Sequence, residues 1–547
     1  MLEPYSQDQL WLVILGFLIA FVLAFGIGAN DVANSFGTSV GSKVLTIFQA
    51  CCLATVFEVT GAILIGYKVS DTMRKGILDV NMYKDAEREL MLGSISALTA
   101  SAIWLIIATF FKLPISGTHS IVGATVGYSL VLRGTQGVHW NTLAKIVGSW
   151  FISPLLSGTT SCCLLLIIKK FILSRPDPLE AGLTSLPFFY SFTILINLFS
   201  IIHDGPKLLH MDNVPLWMAT AISVGVSLFF MAAIWLFVVP WQRRVIKEEE
   251  TVGRRPAVNF NIGESTDTSP ETSPTRKSRQ LTVISEATEL QALDRTKKYV
   301  FPAQQEATGE TAVRKYIRPT ELKLVESTAS VNPGLSPSSS GVPLIIQKSS
   351  NGHNDQGLHT CDIEGNGDAF VENRGVSRLF SFLQALTAMF GSFAHGGNDV
   401  SNAIGPLITL WLIYSEGTVQ QKAETPLFIL LYGGFGISVG LWLWGRRVIE
   451  TIGEDLTTIT PSTGFTIEVG SAFTVLLASK IGIPVSTTHC KVGSVVFVGY
   501  LSTSKRGVDW SLLGNIISAW VVTVPVAGLL SAGTMLLLSY VALTKAQ

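Results

Sequence analysis

At residues 26–35 the chain reads Gly-Ile-Gly-Ala-Asn-Asp-Val-Ala-Asn-Ser, at the end of its first apolar segment. A second copy at residues 394–403 reads Ala-His-Gly-Gly-Asn-Asp-Val-Ser-Asn-Ala and also follows an apolar run. A carboxylate inside a bilayer costs about 3 kcal/mol on insertion scales, and it is tolerated mainly where it faces a cavity, pairs or binds an ion. The shared Gly-[Ala/Gly]-Asn-Asp-Val-x-Asn pattern therefore predicts a cation site at membrane depth.

The composition is that of a polytopic membrane protein. Of the 547 residues, 48% are hydrophobic and only 14% are charged, with a formal net charge of zero, so a nucleic-acid partner is not expected. The six cysteines include two adjacent pairs inside apolar runs, a spacing that favours neither a disulfide framework nor a zinc site. Residues 1–9 lack Lys and Arg, so we expect the first apolar run to be a retained span rather than a signal peptide.

Apolar runs approaching the length of a spanning helix recur in both halves of the chain. They predict an all-α polytopic membrane protein with about 10–12 transmembrane helices. Residues 115–132 are apolar, but they follow Pro114 and carry Ser, Thr, His and Gly, which is typical of a re-entrant or broken helix. We expect an N-terminal membrane half at residues 1–240 and a C-terminal membrane half at residues 379–547.

A segment of different composition, residues 241–378, separates the two halves. It is rich in Ser, Thr, Glu, Lys, Arg and Pro and has almost no apolar periodicity, so we predict a disordered loop. The flanking Arg243-Arg244 pair favours the cytoplasmic side of the membrane.

The two membrane halves share more than the Asn-Asp motif. Residues 114–119, Pro-Ile-Ser-Gly-Thr-His, align with residues 484–489, Pro-Val-Ser-Thr-Thr-His, at an offset of 370 (484−114) that is close to the 368 (398−30) of the Asn-Asp motif. A weaker glycine-containing block at residues 61–69 aligns with residues 440–448 at an offset of 379 (440−61). Such a duplication, with broken helices at matching places, indicates a secondary transporter whose site lies between the repeats.

These motifs, with Ile-Thr-Pro-Ser-Thr-Gly-Phe-Thr-Ile-Glu at residues 459–468, resemble those of the inorganic phosphate transporter (PiT) family, in its sodium-dependent animal branch. The resemblance covers residues 10–239 and 379–543. It implies sodium-coupled phosphate uptake, inverted repeats, an extracellular N-terminus and a long cytoplasmic loop. It also marks Glu58 and Glu468 as important for transport and favours the plasma membrane.

Phosphate binding requires many hydrogen-bond donors, and a hydroxyl-rich helix N-terminus supplies them together with a favourable dipole. Both Pro-x-Ser motifs have this character, so the predicted phosphate-binding residues are Ser116, Gly117, Thr118, Ser486, Thr487 and Thr488. The alternative is that these hydroxyls only cap their helices.

Sodium prefers oxygen ligands, which side chains and unwound carbonyls of broken membrane helices supply. The predicted sodium-binding or coupling residues are Asn30, Asp31, Asn34, Glu58, Asn398, Asp399, Asn402 and Glu468. Two alternatives stay open: the asparagines form only interhelical hydrogen bonds, or each glutamate is protonated or paired with a buried base. Four further residues adjoin the motifs but are left out of the predicted site: His119, His395, His489 and Lys491. A lone histidine beside a broken helix is as readily a helix cap as a ligand, and a lysine near a hairpin end commonly snorkels to the interface.

The leading function is sodium-coupled symport of inorganic phosphate by alternating access. The alternatives are a proton-coupled phosphate symporter and an uncoupled anion channel. An enzyme is not expected, because the chain has no Walker A or His-Glu-x-x-His pattern and its two Gly-x-Ser-x-Gly stretches, at residues 37–41 and 436–440, lie in apolar runs. We expect no cofactor beyond co-transported Na⁺, and as partners phosphate, sodium and the lipid bilayer, with a homodimer left open.

Overall fold

The computed structural model describes residues 2–31, 33–203, 205, 211, 213–253, 374–450, 456–502 and 507–543. Within these ranges the secondary structure is helical, apart from two isolated β-bridges, Leu78–Val138 and Thr457–Val508. Eight helices of the described ranges are long and apolar enough to cross a membrane. The predicted all-α polytopic membrane protein is confirmed.

The N-terminal half contains α1 (Gln7–Asp31), α2 (Ala33–Gly41), α3 (Ile47–Ile65), α4 (Tyr67–Asp71), α5 (Glu87–Phe110), α6 (Gly117–Arg133), α7 (Trp140–Ile168), α8 (Pro178–Ile202), α9 (Leu216–Ala233) and α10 (Val239–Gly253). The C-terminal half contains α11 (Arg374–Glu416), α12 (Leu427–Trp444), α13 (Arg446–Glu450), α14 (Pro461–Lys480), α15 (Thr487–Leu501) and α16 (Trp510–Leu543). The predicted total of about 10–12 crossings stays a prediction, because four further helices are not among the eight: α6 and α15, with 17 and 15 residues, are too short, and α11 and α14 are not apolar enough.

The predicted disordered loop at residues 241–378 lies mostly outside the described residues. At its edges the prediction is wrong, because α10 continues to Gly253 and α11 begins at Arg374. The physical reason is a small apolar contact between the two helices. Ile246 and Val376 are both buried in one cluster of apolar side chains, which stabilises helix on either side of the segment.

The two halves pack reciprocally. Helix α1 packs on α12 and α11 packs on α3, while α6 packs on α16 and α15 packs on α7. Two glycines bring the backbones together, because a Cβ at Gly28 would lie 1.8 Å from the carbonyl oxygen of Ile437, and one at Gly396 would lie 2.2 Å from that of Glu58. Gly28 and Gly396 are equivalent in the Asn-Asp repeat, so each half supplies a glycine that receives a helix of the other.

The weaker glycine block also brings helices of the two halves into close contact. A Cβ at Gly61 would lie 1.9 Å from the carbonyl oxygen of Phe393, and one at Gly440 would lie 1.9 Å from that of Phe25. Both glycines therefore have one role in the two halves, which supports the alignment of residues 61–69 with 440–448.

Each Pro-x-Ser motif forms a break between two helices, as predicted. Helix α5 ends at Phe110 and α6 begins at Gly117, with the Ser116 hydroxyl accepting a hydrogen bond from the His119 backbone N–H at 3.2 Å. In the second half Ser486 caps α15 in the same way, also at 3.2 Å. The two breaks present the N-termini of α6 and α15 inside the protein.

The second Asn-Asp motif departs from expectation. We expected unwound carbonyls beside the asparagines, but residues 394–403 lie inside the continuous helix α11. The prediction was wrong because the local glycines serve close helix packing instead of unwinding, as Gly396 shows by its approach to Glu58. Side-chain oxygens are therefore the free acceptors at this motif.

Candidate functional site

The Asn-Asp motif of each half contacts the Pro-x-Ser hairpin of the other. The Asn34 side-chain amide donates to the Thr488 hydroxyl at 2.9 Å, and the Asn402 amide donates to the Thr118 hydroxyl at 2.9 Å. All four residues are buried. These four of the predicted phosphate and sodium residues thus lie together between the two halves.

The two hairpin starts also contact each other. The Thr118 hydroxyl donates to the carbonyl oxygen of Val485 at 3.0 Å, and the Thr488 hydroxyl donates to that of Ile115 at 3.1 Å. These bonds hold the N-termini of α6 and α15 side by side, so that both helix dipoles act on the same small region.

The two motif aspartates lie at those helix N-termini. Asp31 Oδ2 accepts from the backbone N–H of Gly117 at 3.2 Å, and Asp399 Oδ2 accepts from the hydroxyl of Thr487 at 2.7 Å. The Thr488 hydroxyl lies 3.3 Å from Asp31 Oδ1 and 3.1 Å from the Ile115 carbonyl oxygen, so it can donate to either acceptor. Gly117 and Thr487 occupy the same repeat position, so the second half adds a hydroxyl where the first half offers only backbone.

The two Asn-Asp motifs and the N-termini of α6 and α15 together form what we call the Asn-Asp centre. Three of its buried amide oxygens have no hydrogen-bond partner among the described residues: Asn34 Oδ1, Asn398 Oδ1 and Asn402 Oδ1. A buried acceptor left unpaired costs about 1–3 kcal/mol, so such a group needs a reason. Amide oxygens beside a carboxylate are the donor set that Na⁺ uses, and the chemistry of these residues fits that cation.

Asn30 differs from its repeat partner Asn398 in the side-chain oxygen, since the amide of Asn398 also donates to a hairpin carbonyl, that of Val485, at 2.9 Å. Asn30 Oδ1 accepts from the Ile115 backbone N–H at 3.1 Å, and its amide donates to Thr109 at 3.0 Å and to the Leu113 carbonyl at 2.9 Å. Asn30 therefore fixes the first hairpin, which is the interhelical role that the sequence left open, whereas the unpaired oxygens concentrate at the second motif.

Glu58 reaches the centre through a histidine. His395 Nδ1 lies 2.8 Å from Glu58 Oε2, and its Nε2 lies 2.7 Å from Asp399 Oδ2. Ser392 and Ser35 donate to Glu58 Oε1 at 2.8 and 3.3 Å. Glu58 is thus paired with a buried base, one of the alternatives left open above, and sequence reasoning did not select the linking residue His395.

Glu468 is paired with a second residue that we left out of the predicted site. Lys491 Nζ donates to Glu468 Oε2 at 2.8 Å, and the hydroxyls of Thr38 and Ser39 donate to Oε1. Lys491 is only 2% exposed, so the expectation that it snorkels to the interface is wrong. Its position four residues after Thr487, one helical turn along the same face, is the sequence signal that pointed inward.

Residues 27–531 match the model of the phosphate transporter family. The chain belongs to this family. It is 44% identical to sodium-dependent phosphate transporter 1-A of Danio rerio, over 98% of this chain and 96% of the relative, and 42% identical to sodium-dependent phosphate transporter 2 of Homo sapiens, over 98% and 99%. A solved structure described as the sodium-dependent phosphate transporter is 30% identical, with a TM-score of 0.69 over 97% of this chain and 100% of that one.

The two hairpin histidines of this phosphate transporter family member contact each other and two tryptophans. The rings of His119 and His489 are 4.5 Å apart between centroids, and each also contacts a tryptophan at 3.8 Å, Trp150 and Trp520 respectively. His489 Nδ1 lies 3.0 Å from the Trp150 carbonyl oxygen. These contacts pack the two hairpins together.

A small cavity of the transporter opens beside the centre. Its lining residues are Asn34, Ser35, Gly391, His395, Ser471, Ala472, Val475, Thr487 and Lys491. The lining combines a motif asparagine of the first half with a hairpin threonine of the second. It also includes both basic side chains that pair with the buried glutamates, so an anion entering here would meet hydroxyl, amide and cationic groups together.

Proposed function

We propose that this chain is a sodium-coupled symporter of inorganic phosphate that works by alternating access between two inverted repeats. The observation that carries the proposal is the reciprocal pair of hydrogen bonds, Asn34 to Thr488 and Asn402 to Thr118. They join each cation motif to the anion hairpin of the other half. Relatives spanning nearly the whole chain are named sodium-dependent phosphate transporters, which supports the same function.

Phosphate would bind at the N-termini of α6 and α15. The donors are the hydroxyls and backbone N–H groups of Ser116, Gly117, Thr118, Ser486, Thr487 and Thr488. Helix N-termini favour anions through their free N–H groups and their dipole. In the structure described here Gly117 and Thr487 donate to the motif aspartates instead. Phosphate must therefore approach two buried carboxylates, which is electrostatically unfavourable unless cations arrive with it.

Sodium would supply that compensation. Asp31 and Asp399 provide carboxylate oxygens, and Asn34, Asn398 and Asn402 provide the unpaired amide oxygens. A cation held there offsets the charge of phosphate a short distance away, so each ligand raises the affinity for the other. This shared electrostatic free energy is the physical basis of coupled transport.

The two glutamates would act in coupling rather than by holding phosphate. Glu58 acts on Asp399 through His395, and Glu468 is held by Lys491. Neither interaction has a counterpart in the other half, because Ile27, Leu98, Ile121 and Ile437 stand at the equivalent positions. The site is therefore asymmetric in charge although its frame is duplicated.

The setting of the proposal is the plasma membrane, with the N-terminus extracellular and residues between the halves cytoplasmic. The Arg243-Arg244 pair near the end of the N-terminal half supports this orientation by the positive-inside bias. All site residues come from one chain, so a homodimer would contain two complete sites.

The test is radiolabelled phosphate uptake into proteoliposomes under an inward sodium or proton gradient. We expect sodium-driven accumulation above equilibrium in the wild type and its loss in Asp31→Asn and Asp399→Asn. The matched control is Asp8→Asn, at an exposed aspartate in the first turn of α1, which should transport normally. Accumulation driven by protons alone would replace the proposal with a proton-coupled symporter, and simple equilibration without either gradient would replace it with a channel.

A further inference from the structure

Lys491 is a fully enclosed cation next to the proposed phosphate site. Its ammonium donates to Glu468 Oε2 at 2.8 Å, and the two side chains are 3% and 0% exposed. An ammonium carries three donors. The described contacts use one of them, and the lysine also lines the cavity that contains Asn34 and Thr487.

The packing of the fold does not require this ion pair. In the first half the offset of 370 places Leu98 at the position of Glu468 and Ile121 at that of Lys491, and both are buried apolar residues at 0% and 1% exposure. The same helix pair, α5 with α6, therefore packs without charges. A buried ion pair adds little stability over an apolar pair because its desolvation offsets its attraction, so its presence in one half alone indicates a role in binding.

The geometry directs Lys491 to the anion site. Thr487 and Lys491 are four residues apart on α15, so their side chains lie on one face about one turn, or roughly 5.4 Å, apart along the helix. Thr487 Oγ1 already donates to Asp399 at the centre. A flexible four-carbon side chain moves its ammonium over such a distance by changing rotamers.

We propose that Lys491 is a phosphate-binding residue whose ammonium leaves Glu468 and contacts the anion when phosphate occupies the cavity. Glu468 remains hydrogen-bonded by Thr38 and Ser39 when the lysine leaves. Its uncovered carboxylate then offers a place for a cation, so phosphate binding itself creates an additional negative site for sodium. The inference rests on the proposed function, and it adds a binding residue and a coupling step to it.

The experiment measures equilibrium binding of radiolabelled phosphate to the purified full chain in detergent at saturating sodium. Lys491→Met should raise the Kd for phosphate at least about tenfold, since a charge-assisted contact is lost. Lys491→Arg keeps the charge and should raise the Kd for phosphate by a smaller factor. The matched control is Ile121→Met, the same final residue at the equivalent buried position of the first half, which should bind phosphate like the wild type.

The double variant Lys491→Met, Glu468→Gln separates binding from structure. It leaves no unpaired buried charge, so it should fold, and by our proposal it still binds phosphate at least about tenfold more weakly than the wild type. If the double variant regains the wild-type Kd, Lys491 only neutralises Glu468 and the inference is overturned. Failure of the proposed function is distinguishable, because then the wild type would lack sodium-driven uptake even if its phosphate binding depended on Lys491.

Discussion

The side-chain amide of Asn34 donates a hydrogen bond to the hydroxyl of Thr488 at 2.9 Å across 454 positions of the chain. The mirror bond, from Asn402 to Thr118, has the same length. Each cation motif therefore contacts the hairpin of the other half as well as the hairpin of its own half. A relative movement of the two halves would change both contacts between the halves at once, which is what alternating access around a shared site requires.

Thr488→Val should reduce sodium-driven phosphate uptake at least about tenfold per folded molecule. The hydroxyl accepts from Asn34 and donates to the Ile115 carbonyl, and removing it leaves buried groups unpaired at a cost of about 1–3 kcal/mol. The measurement is initial uptake rate per folded molecule in proteoliposomes.

A threonine with purely local bonding provides the control for this variant. Thr474 is buried, and its hydroxyl donates only to the Gly470 carbonyl of its own helix in the described contacts. Thr474→Val should therefore transport close to normally. Equal loss in both variants would mean that uptake responds to buried threonine loss in general, and the special role of Thr488 would be rejected.

Much of the arrangement of the site could be predicted, because its main elements are short local sequence patterns that occur in both halves. The Asn-Asp motifs, the breaks after Pro114 and Pro484, and the duplication each follow from a short stretch and its offset. The pairing of Glu58 with His395 could not be predicted, because it joins residues 337 positions apart. Hydropathy and spacing describe single helices, whereas such pairs depend on how two helices cross.

The orientation of Lys491 illustrates a second limit. A lysine near a hairpin end has two physical outcomes, snorkelling or burial with a carboxylate, and the choice depends on whether a partner lies within reach. Glu468 is that partner, and it comes from the preceding helix α14. The repeat alignment shows only that both residues lack charged equivalents in the first half.

Gly28→Ala should destabilise the protein strongly. The new Cβ would lie 1.8 Å from the Ile437 carbonyl oxygen, so α1 and α12 must separate, at a cost of about 3 kcal/mol. Gly225→Ala in α9 is the control, because a Cβ there meets nothing within 4 Å. It should be neutral or add about 0.5–1 kcal/mol of helix stability. Thermal denaturation followed by size-exclusion chromatography measures both, and a Gly28→Ala variant as stable as the wild type would contradict the packing described above.

Glu58→Gln should lower the rate of sodium-driven uptake about tenfold or more while the protein still folds. The substitution keeps the shape but removes the charge that holds His395 against Asp399. Glu180→Gln is the surface control, because the Glu180–Arg243 pair is about two-fifths exposed and such pairs contribute about 0–1 kcal/mol. Uptake assays on equal amounts of folded protein distinguish them. Normal uptake by Glu58→Gln would show that the charge of Glu58 plays no part in transport.

Asn398→Ala and Asn30→Ala should separate sodium binding from hairpin structure, although the two residues are equivalent in the repeat. The Asn398 amide donates to Asp399 and to the Val485 carbonyl of the second hairpin, but its amide oxygen is unpaired, so its loss should raise the sodium concentration for half-maximal uptake several-fold. Asn30 uses its side chain to hold Thr109, Leu113 and Ile115, so its loss should instead lower the melting temperature and the amount of folded protein. Uptake titrated with sodium at fixed phosphate, together with thermal denaturation, gives both quantities for each variant. If Asn30→Ala shifted the sodium requirement and Asn398→Ala did not, the sodium site would belong to the first motif, and the assignment drawn from the unpaired oxygens would be reversed.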